Sequence, residues 1–207
     1  MCGRYVITNA VSKTKRMVKK AIKVDDNENY NAHPYQNLPV IKKYTNGCTL
    51  ENLKWGITPS WSKKKEFKPL INARLETIDE KQTFKNLIKL ARCVVVADGF
   101  YEWKRDENTK IPYYFLREDK KLMFLAGIYE NDQFCLITEE SSKNVLEIHH
   151  RQPVLLYENN VKKYLNIELN GSTFLKERNK PNLSFHQISK NVNKPTNNSS
   201  SLIQKIY

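Results

Sequence analysis

The chain has 207 residues, and its 40% hydrophobic and 11% aromatic content suits one globular domain and excludes a disordered chain. Its 35 Lys and Arg residues exceed its 22 Asp and Glu residues, and the net charge of +13 favours a polyanionic partner such as nucleic acid. A proteome rich in Lys and Asn would account for the same excess. We find no apolar run long enough for a signal peptide or a membrane span, so we expect a cytoplasmic protein without membrane contact.

In the first half of the chain, residues 5–7 are predicted to form a short strand. Apolar residues at helical spacing predict a helix over residues 11–22. Residues 30–34 are predicted to be a loop, because the residue before a proline avoids the helical region. A pair of strands over residues 38–55, with its turn at Asn46-Gly47, follows.

The second half begins with an amphipathic helix over residues 84–91 and a continuous apolar run over residues 93–97, which predicts a central strand. Further strands and one short helix are predicted at residues 113–116, 122–128, 134–138, 154–156 and, for the helix, 161–165. The tail from about residue 190 is polar and expected to be irregular. We therefore predict a single α+β domain over residues 1–207, with a twisted, mainly antiparallel, barrel-like β core and peripheral helices.

The cysteines are spaced far apart, at Cys2, Cys48, Cys93 and Cys135. They form no CxxC pair and no Cys/His pair at zinc-ligand spacing, so we expect neither a metal nor another cofactor. Two of them, Cys93 and Cys135, stand in apolar runs, which predicts buried thiols.

The cysteine at position 2 has a chemistry of its own if it becomes the amino terminus. A small side chain at this position permits removal of Met1, and the α-amine and thiol then titrate near pH 8 and about 8.5. The amine can condense with an aldehyde to an imine, and the thiol can close on that imine to a thiazolidine. One residue alone does not distinguish this chemistry from coincidence.

Other polar and aromatic residues are candidates for a site, although each has an ordinary structural explanation. Glu102 stands among Phe100, Tyr101 and Trp103, where lost solvation would raise its pKa, yet it could equally face water on a strand. One of the two adjacent histidines, His149 or His150, could face a site. Arginines could hold phosphate or pair with carboxylates, and the candidates are Arg4, Arg74 and Arg151. Tryptophans could stack on bases or fill the core, and these are Trp55, Trp61 and Trp103.

Six spaced motifs combine these residues into one pattern. In chain order they are Met1-Cys2-Gly3-Arg4-Tyr5, Tyr30-Asn31-x-x-Pro34, Trp55-Gly56-x-x-Pro59-x-Trp61, Asn72-Ala73-Arg74-x-Glu76-Thr77, Gly99-Phe100-Tyr101-Glu102-Trp103 and His149-x-Arg151-x-Pro153. The order and spacing resemble the SRAP family of SOS-response-associated peptidases, or abasic-site processing proteins. The chain departs from the family pattern at Gln152 and at Ala32-His33.

The resemblance implies a monomeric domain that binds single-stranded DNA containing abasic sites and protects them through a thiazolidine crosslink during the DNA damage response. It implies that Cys2 is the crosslinking nucleophile and that Asn72 holds its amine. Glu102 would be the acid–base for imine formation and release, and His149 would assist opening of the sugar. The DNA-binding residues implied are Arg4, Arg74, Trp103 and Arg151. Removal of Met1 by the domain itself or by an aminopeptidase is left open.

Two other functions remain as alternatives. An amino-terminal-nucleophile glutamine amidotransferase can also begin Met-Cys-Gly, but it explains neither the positive charge nor the other motifs. A reversible single-stranded DNA-binding module needs only aromatic side chains and cations. Such a module would bind intact and abasic strands alike.

Overall fold

The computed structural model describes residues 2–24, 26–45, 47–62, 67–107 and 109–206. Asn46, which belongs to the predicted turn, and Met1 therefore lie outside the described residues. The strands within these ranges are β1 (Tyr5–Ile7), β2 (Lys20–Ile22), β3 (Asn29–Ala32), β4 (Asn37–Tyr44), β5 (Gly47–Trp55), β6 (Asn72–Arg74), β7 (Arg92–Ala97), β8 (Gly99–Asp106), β9 (Thr109–Arg117), β10 (Met123–Glu130), β11 (Gln133–Glu140), β12 (Arg151–Pro153), β13 (Leu155–Leu156) and β14 (Leu183–Gln187). The α-helices are α1 (Ala10–Thr14), α2 (Leu87–Leu90), α3 (Lys143–Leu146), α4 (Glu158–Leu165) and α5 (Gly171–Glu177). Short 3₁₀ helices occur at Leu75–Thr77, Lys190–Asn193 and Ser200–Ile203. No helix in the described ranges is long and apolar enough to cross a membrane.

The larger sheet closes on itself. Its strands are ordered β12-β11-β10-β7-β4-β5-β2, and β11 also pairs in parallel with β5 through Phe134 and Trp55. The strands β11, β10, β7, β4 and β5 therefore form a ring, which confirms the predicted barrel-like and mainly antiparallel core. The predicted central strand is β7, whose six residues are all buried between β4 and β10.

A second, smaller sheet has the order β14-β9-β8-β1-β3. Its strand β1 lies between β8 and β3, with Tyr5 opposite both Phe100 and Ala32. Gly99 begins β8 at a point where an added Cβ would lie 2.4 Å from the backbone oxygen of Phe115, so only glycine fits there.

Aromatic packing joins the two sheets. The ring of Tyr5 lies 5.3 Å from that of Trp55, which in turn stacks on Phe134 at 6.1 Å. Cys93 and Cys135 are buried free thiols, as predicted. A separate apolar cluster contains Tyr101 of β8 together with Val192 and Leu202 from near the carboxyl terminus.

Three predicted elements differ from the structure. The helix predicted over residues 11–22 is wrong beyond Thr14, because Lys20–Ile22 instead forms β2 and pairs with the edge of β5. Residues 30–32, three of the five residues of the predicted loop, belong to β3 and pair with β1. The helix predicted over residues 84–91 is shorter, with α2 confined to Leu87–Leu90. In the first two cases, hydrogen bonding to a distant strand overrides the local pattern.

Candidate active site where the two sheets meet

The four predicted catalytic residues come from both sheets. Cys2 leads into β1, and Glu102 lies within β8 of the smaller sheet. The pairing of these two strands continues towards the amino terminus, where the backbone N–H of Tyr101 donates a hydrogen bond of 2.9 Å to the carbonyl oxygen of Arg4. Asn72 begins β6, and His149 lies two residues before β12. Both of these strands pair with β11, one on each side, so both residues are positioned by the larger sheet.

Asn72 connects the larger sheet to the amino-terminal segment. Its Nδ2 donates a hydrogen bond of 2.9 Å to the backbone oxygen of Cys2. Its Oδ1 is buried and has no hydrogen-bond partner among the described residues. The contact observed is thus with the Cys2 carbonyl, whereas the resemblance implied a contact with the amine; the buried Oδ1 is the atom of Asn72 that can still accept a hydrogen bond.

Glu102 is 2% exposed, and its Oε2 lies 4.0 Å from Nδ1 of His149. Burial raises the pKa of Glu102 to about 7, because the ionised carboxylate loses its hydration. Burial also lowers the pKa of His149, because the imidazolium form is the charged one. Near neutral pH the site therefore favours a neutral imidazole beside a carboxyl group that exchanges its proton.

The backbone of Arg151 fixes the ring of His149. Nδ1 of His149 lies 3.0 Å from both the backbone nitrogen and the backbone oxygen of Arg151. A ring with its proton on Nε2 accepts from the backbone N–H, and a ring with its proton on Nδ1 donates to the backbone oxygen, so both tautomers are held in this orientation. The ring also stacks on His150, with centroids 4.6 Å apart.

The Cys2 side chain is fully buried. Burial raises the pKa of the Cys2 thiol well above its ordinary range, and the charge of the neighbouring Glu102 raises it further. The thiol is therefore protonated at neutral pH and is a poor first nucleophile.

The expected aromatic surroundings of Glu102 need correction. Side chains alternate along β8, so Glu102 shares a face with Phe100, while Tyr101 and Trp103 point to the other face. Accordingly, Phe100 belongs to the main core, whereas Tyr101 and Trp103 pack in the separate apolar cluster with Val192 and Leu202. Of the two alternatives left open for Glu102, the structure shows the buried one, and the cause of the burial is the depth of β8 in the fold.

The predicted DNA-binding residues fall into two groups. Arg4, Trp103 and Arg74 reach the surface, and the guanidinium of Arg4 lies 6.0 Å from the centre of the Trp103 ring. Arg151 is instead 6% exposed and forms a two-bond ion pair with Glu76, with distances of 2.8 and 3.0 Å. Its Nη2 also donates to Thr138. These contacts give Arg151 a structural role, because they engage both terminal nitrogens of its guanidinium. Its Nε is buried and has no hydrogen-bond partner among the described residues.

Comparison with known proteins identifies the family to which this site belongs. A sequence model of the SOS response associated peptidase (SRAP) family matches residues 1–195. The chain belongs to the SRAP family. Abasic site processing protein YoqW of Bacillus subtilis strain 168 is 32% identical over 222 residues, with 99% of each chain covered. Abasic site processing protein YedK of Escherichia coli K12 is 28% identical over 225 residues, with all of both chains covered.

Solved structures show the same fold. A protein of Bacteroides thetaiotaomicron superposes with a TM-score of 0.85 over all of both chains, at 22% identity. A phage-related protein of Bordetella bronchiseptica superposes with a TM-score of 0.74 over 91% of this chain and 95% of its own, at 24% identity.

The departure from the SRAP pattern at Gln152 has a structural explanation. The side chain is 2% exposed, accepts hydrogen bonds from Ser142 at its Oε1, and donates one of 3.1 Å to Glu139. Glu139 in turn pairs with the buried Arg178 at 2.7 Å. Gln152 therefore belongs to a buried polar network and does not line the site.

Asn31 was not among the predicted site residues, and Trp61 was named only as a candidate for stacking. Trp61 is 56% exposed, unlike the fully buried Trp55, and contacts Phe67 edge to face at 6.2 Å. Asn31 is 1% exposed and bonds to Arg4. The position of Asn31 in the Tyr30-Asn31-x-x-Pro34 motif was the available signal, but its partners lie too far away in sequence to be inferred.

Proposed function

We propose that this SRAP protein is an abasic-site sensor that binds single-stranded DNA and forms a covalent thiazolidine between Cys2 and the ring-opened abasic deoxyribose. It would act in the cytoplasm, at the nucleoid during DNA damage, and protect the site until repair. The names of its relatives support abasic sites as the target. The observation that carries the chemistry is the meeting of Cys2, Asn72, Glu102 and His149 at one point of the fold.

The first step proposed is attack of the neutral Cys2 amine on the sugar aldehyde. The raised pKa of the thiol supports this order, because a protonated thiol competes poorly for the carbonyl. The product is a carbinolamine, whose hydroxyl must leave as water. A general acid near the site is therefore required, and Glu102, whose pKa lies near 7, fits this role.

Ring closure then restores the starting state of Glu102. Once its proton has left with water, the site holds an iminium ion and a Glu102 carboxylate. Sγ of Cys2 adds to the iminium carbon, the electron pair of the C=N bond returns to nitrogen, and the thiol proton passes to Glu102. The net reaction joins aldehyde and aminothiol and releases one water molecule, and its reversal uses the same proton transfers.

His149 and Asn72 would assist at the two ends of the reaction. A closed abasic sugar must open before it presents an aldehyde, and a neutral imidazole can move the hydroxyl proton that this requires. Asn72 would hold the amino-terminal segment through the Cys2 carbonyl and offer its Oδ1 to the freed amine.

DNA binding would depend on phosphate contacts and stacking. Arg4 and Arg74 would bind the phosphates that flank the abasic sugar, and Trp103 would stack on or beside a neighbouring base. The protein would act as a monomer. Removal of Met1 is required in any case, and autoproteolysis, which the family description suggests, is a further possible activity of the site.

A denaturing gel separates this function from its alternatives. Protein beginning at Cys2 is incubated with matched intact and abasic single strands, heated and resolved. We expect a band of lower mobility when the protein is incubated with the abasic strand, and no such band with the intact strand. A reversible binding module gives no heat-stable band, and glutamine hydrolysis without DNA would establish the amidotransferase.

A further inference from the structure

Asn31 lies at the centre of a hydrogen-bond network behind the active site. It is 1% exposed, and its Oδ1 accepts a hydrogen bond of 2.6 Å from Nη1 of Arg4. Its Nδ2 lies 3.3, 3.1 and 2.9 Å from the backbone oxygens of Val192, Lys194 and Asn197. One buried carboxamide therefore joins Arg4 to the carboxyl-terminal segment, here residues 192–197.

The same network leaves part of Arg4 available. Nη1 is also bonded to the backbone oxygen of Val192 at 2.9 Å, so this nitrogen points into the protein. Within the described residues, no hydrogen bond engages Nε or Nη2 of Arg4. An arginine with one nitrogen anchored and two free can present a fixed donor pair to a phosphate.

The carboxyl-terminal segment also holds the neighbouring aromatic side chain. Oδ1 of Asn193 accepts a hydrogen bond of 2.8 Å from Nε1 of Trp103. The Trp103 ring lies beside the guanidinium of Arg4, 6.0 Å from its Cζ to the ring centre. The carboxyl-terminal segment that Asn31 binds thus contacts both the Trp103 ring and the Arg4 guanidinium.

We propose that Asn31 is a positioning residue, which holds the carboxyl-terminal segment and the Arg4 guanidinium so that Arg4 meets DNA phosphate in a preformed orientation. The inference rests on the proposed DNA binding by Arg4. A long arginine side chain that is held in place before binding loses less conformational freedom when it binds. The benefit is therefore in affinity for the strand, not in the rate of the bonds formed at Cys2.

The test is salt-dependent binding of an intact single strand, together with single-turnover crosslinking of an abasic strand. Both are measured for wild type, Arg4→Ala, Asn31→Ala and the double variant. Asn31→Ala and Arg4→Ala should each reduce the magnitude of the salt slope by about 0.7, the value for one phosphate on single-stranded DNA. The double variant should show no further reduction, since both changes remove the same contact. For Asn31→Ala, the crosslinking rate at saturating protein should stay near that of wild type, while the half-saturating concentration rises.

Controls separate this role from a loss of folding stability. Asn170→Ala removes an N-cap that accepts a 3.1 Å bond from Thr173 at the start of α5, and should destabilise the protein without changing the salt slope. Hydrogen exchange should rise at residues 192–197 in Asn31→Ala and not in Asn170→Ala. If Asn31→Ala does not fold, Asn31→Asp serves instead: its carboxylate keeps an acceptor for Arg4 but loses the donors to the carbonyls. It should reduce the salt slope at least as much, because the new charge competes with phosphate.

The outcomes separate the inference from the function beneath it. A salt slope unchanged in Asn31→Ala and Asn31→Asp, with Arg4→Ala reduced, would overturn the positioning role and leave DNA binding by Arg4 intact. A slope unchanged in Arg4→Ala would overturn the proposed role of Arg4 and the inference with it. Additive losses in the double variant would also contradict the proposal, because Asn31 would then act independently of Arg4.

Discussion

The carboxylate of Glu102 and the imidazole of His149 face each other, with Oε2 and Nδ1 4.0 Å apart, and burial moves their pKa values in opposite directions. Both shifts favour the neutral form of each side chain. At neutral pH the carboxyl group can therefore hold a proton for delivery while the imidazole remains free to take one. This is the division of labour that the proposed chemistry requires.

Glu102→Gln should slow crosslink formation and crosslink release, each by about 10²-fold or more, because Gln cannot exchange a proton. DNA affinity should change little. Above pH 7 the wild-type carboxyl group is ionised and no longer an acid, so the pH–rate profile of wild type should contain a falling limb near pH 7 that Glu102→Gln lacks. Single-turnover and competitor-chase rates measure both directions. The exposed Glu177→Gln is the matched control, and wild-type rates for Glu102→Gln in both directions would rule the assignment out.

Glu102→Gln should also change how stability depends on pH. Folding raises the pKa of Glu102 from 4.5 to about 7, so the unfolded chain releases this proton first as pH rises. The stabilising contribution is therefore complete below pH 4.5 and is lost as pH rises through about 7. A pKa difference of this size corresponds to roughly 3 kcal/mol. In urea unfolding, the variant should match wild type near pH 4 and exceed its stability at pH 8; an equal difference at both pH values would contradict the buried carboxylate.

His149→Ala should slow crosslinking to a closed abasic sugar and leave release of a preformed crosslink nearly unchanged. The reason is that sugar opening precedes attack by the amine and plays no part in opening the thiazolidine. An oligonucleotide that carries an open-chain aldehyde bypasses this step. Equal slowing of His149→Ala on both substrates would show that the imidazole acts later than ring opening.

Arg74 and Arg151 should behave differently although both stand in family motifs. Arg74 is exposed on β6, and Arg74→Ala should reduce the magnitude of the salt slope on single-stranded DNA by about 0.7. Arg151→Ala should leave the slope unchanged and lower the free energy of unfolding by roughly 2 kcal/mol, because it breaks the paired bonds to Glu76. Arg16→Ala, an exposed change just after α1, controls for lost charge. An equal slope change in Arg74→Ala and Arg151→Ala would contradict the structural role of Arg151.

The fold was predictable where the pattern is local. Two strands over residues 38–55 and the apolar strand at residues 93–97 carry their own signals, and the structure confirms both as β4, β5 and β7. The residues of β2, at the end of a lysine-rich stretch, and the polar residues of β3 carry no such signal. They become strands because they pair with the edges of β5 and β1. These partner strands are distant in sequence, so a local sequence pattern cannot reveal the pairing.

The grouping of the four proposed catalytic residues was predictable, but their contacts were not. Spaced motifs brought Cys2, Asn72, Glu102 and His149 together, whereas the partners of the surrounding arginines come from remote positions. Arg151 pairs with Glu76 across 75 residues, and Arg4 reaches Val192 across 188. The alternation of side chains along β8, in contrast, was already available and separates Glu102 from Trp103.

The most direct test of the account maps the adduct itself. Protein shown by mass spectrometry to begin at Cys2 is incubated with an abasic single strand, digested and sequenced by mass. The account predicts attachment at residue 2, with the loss of one water molecule and resistance to heat and to borohydride. Cys2→Ser should give a labile, reducible imine, and Cys2→Ala should give no thiazolidine while retaining reversible DNA binding. An undiminished, heat-stable adduct in Cys2→Ala, or attachment at a lysine in wild type, would contradict the central claim.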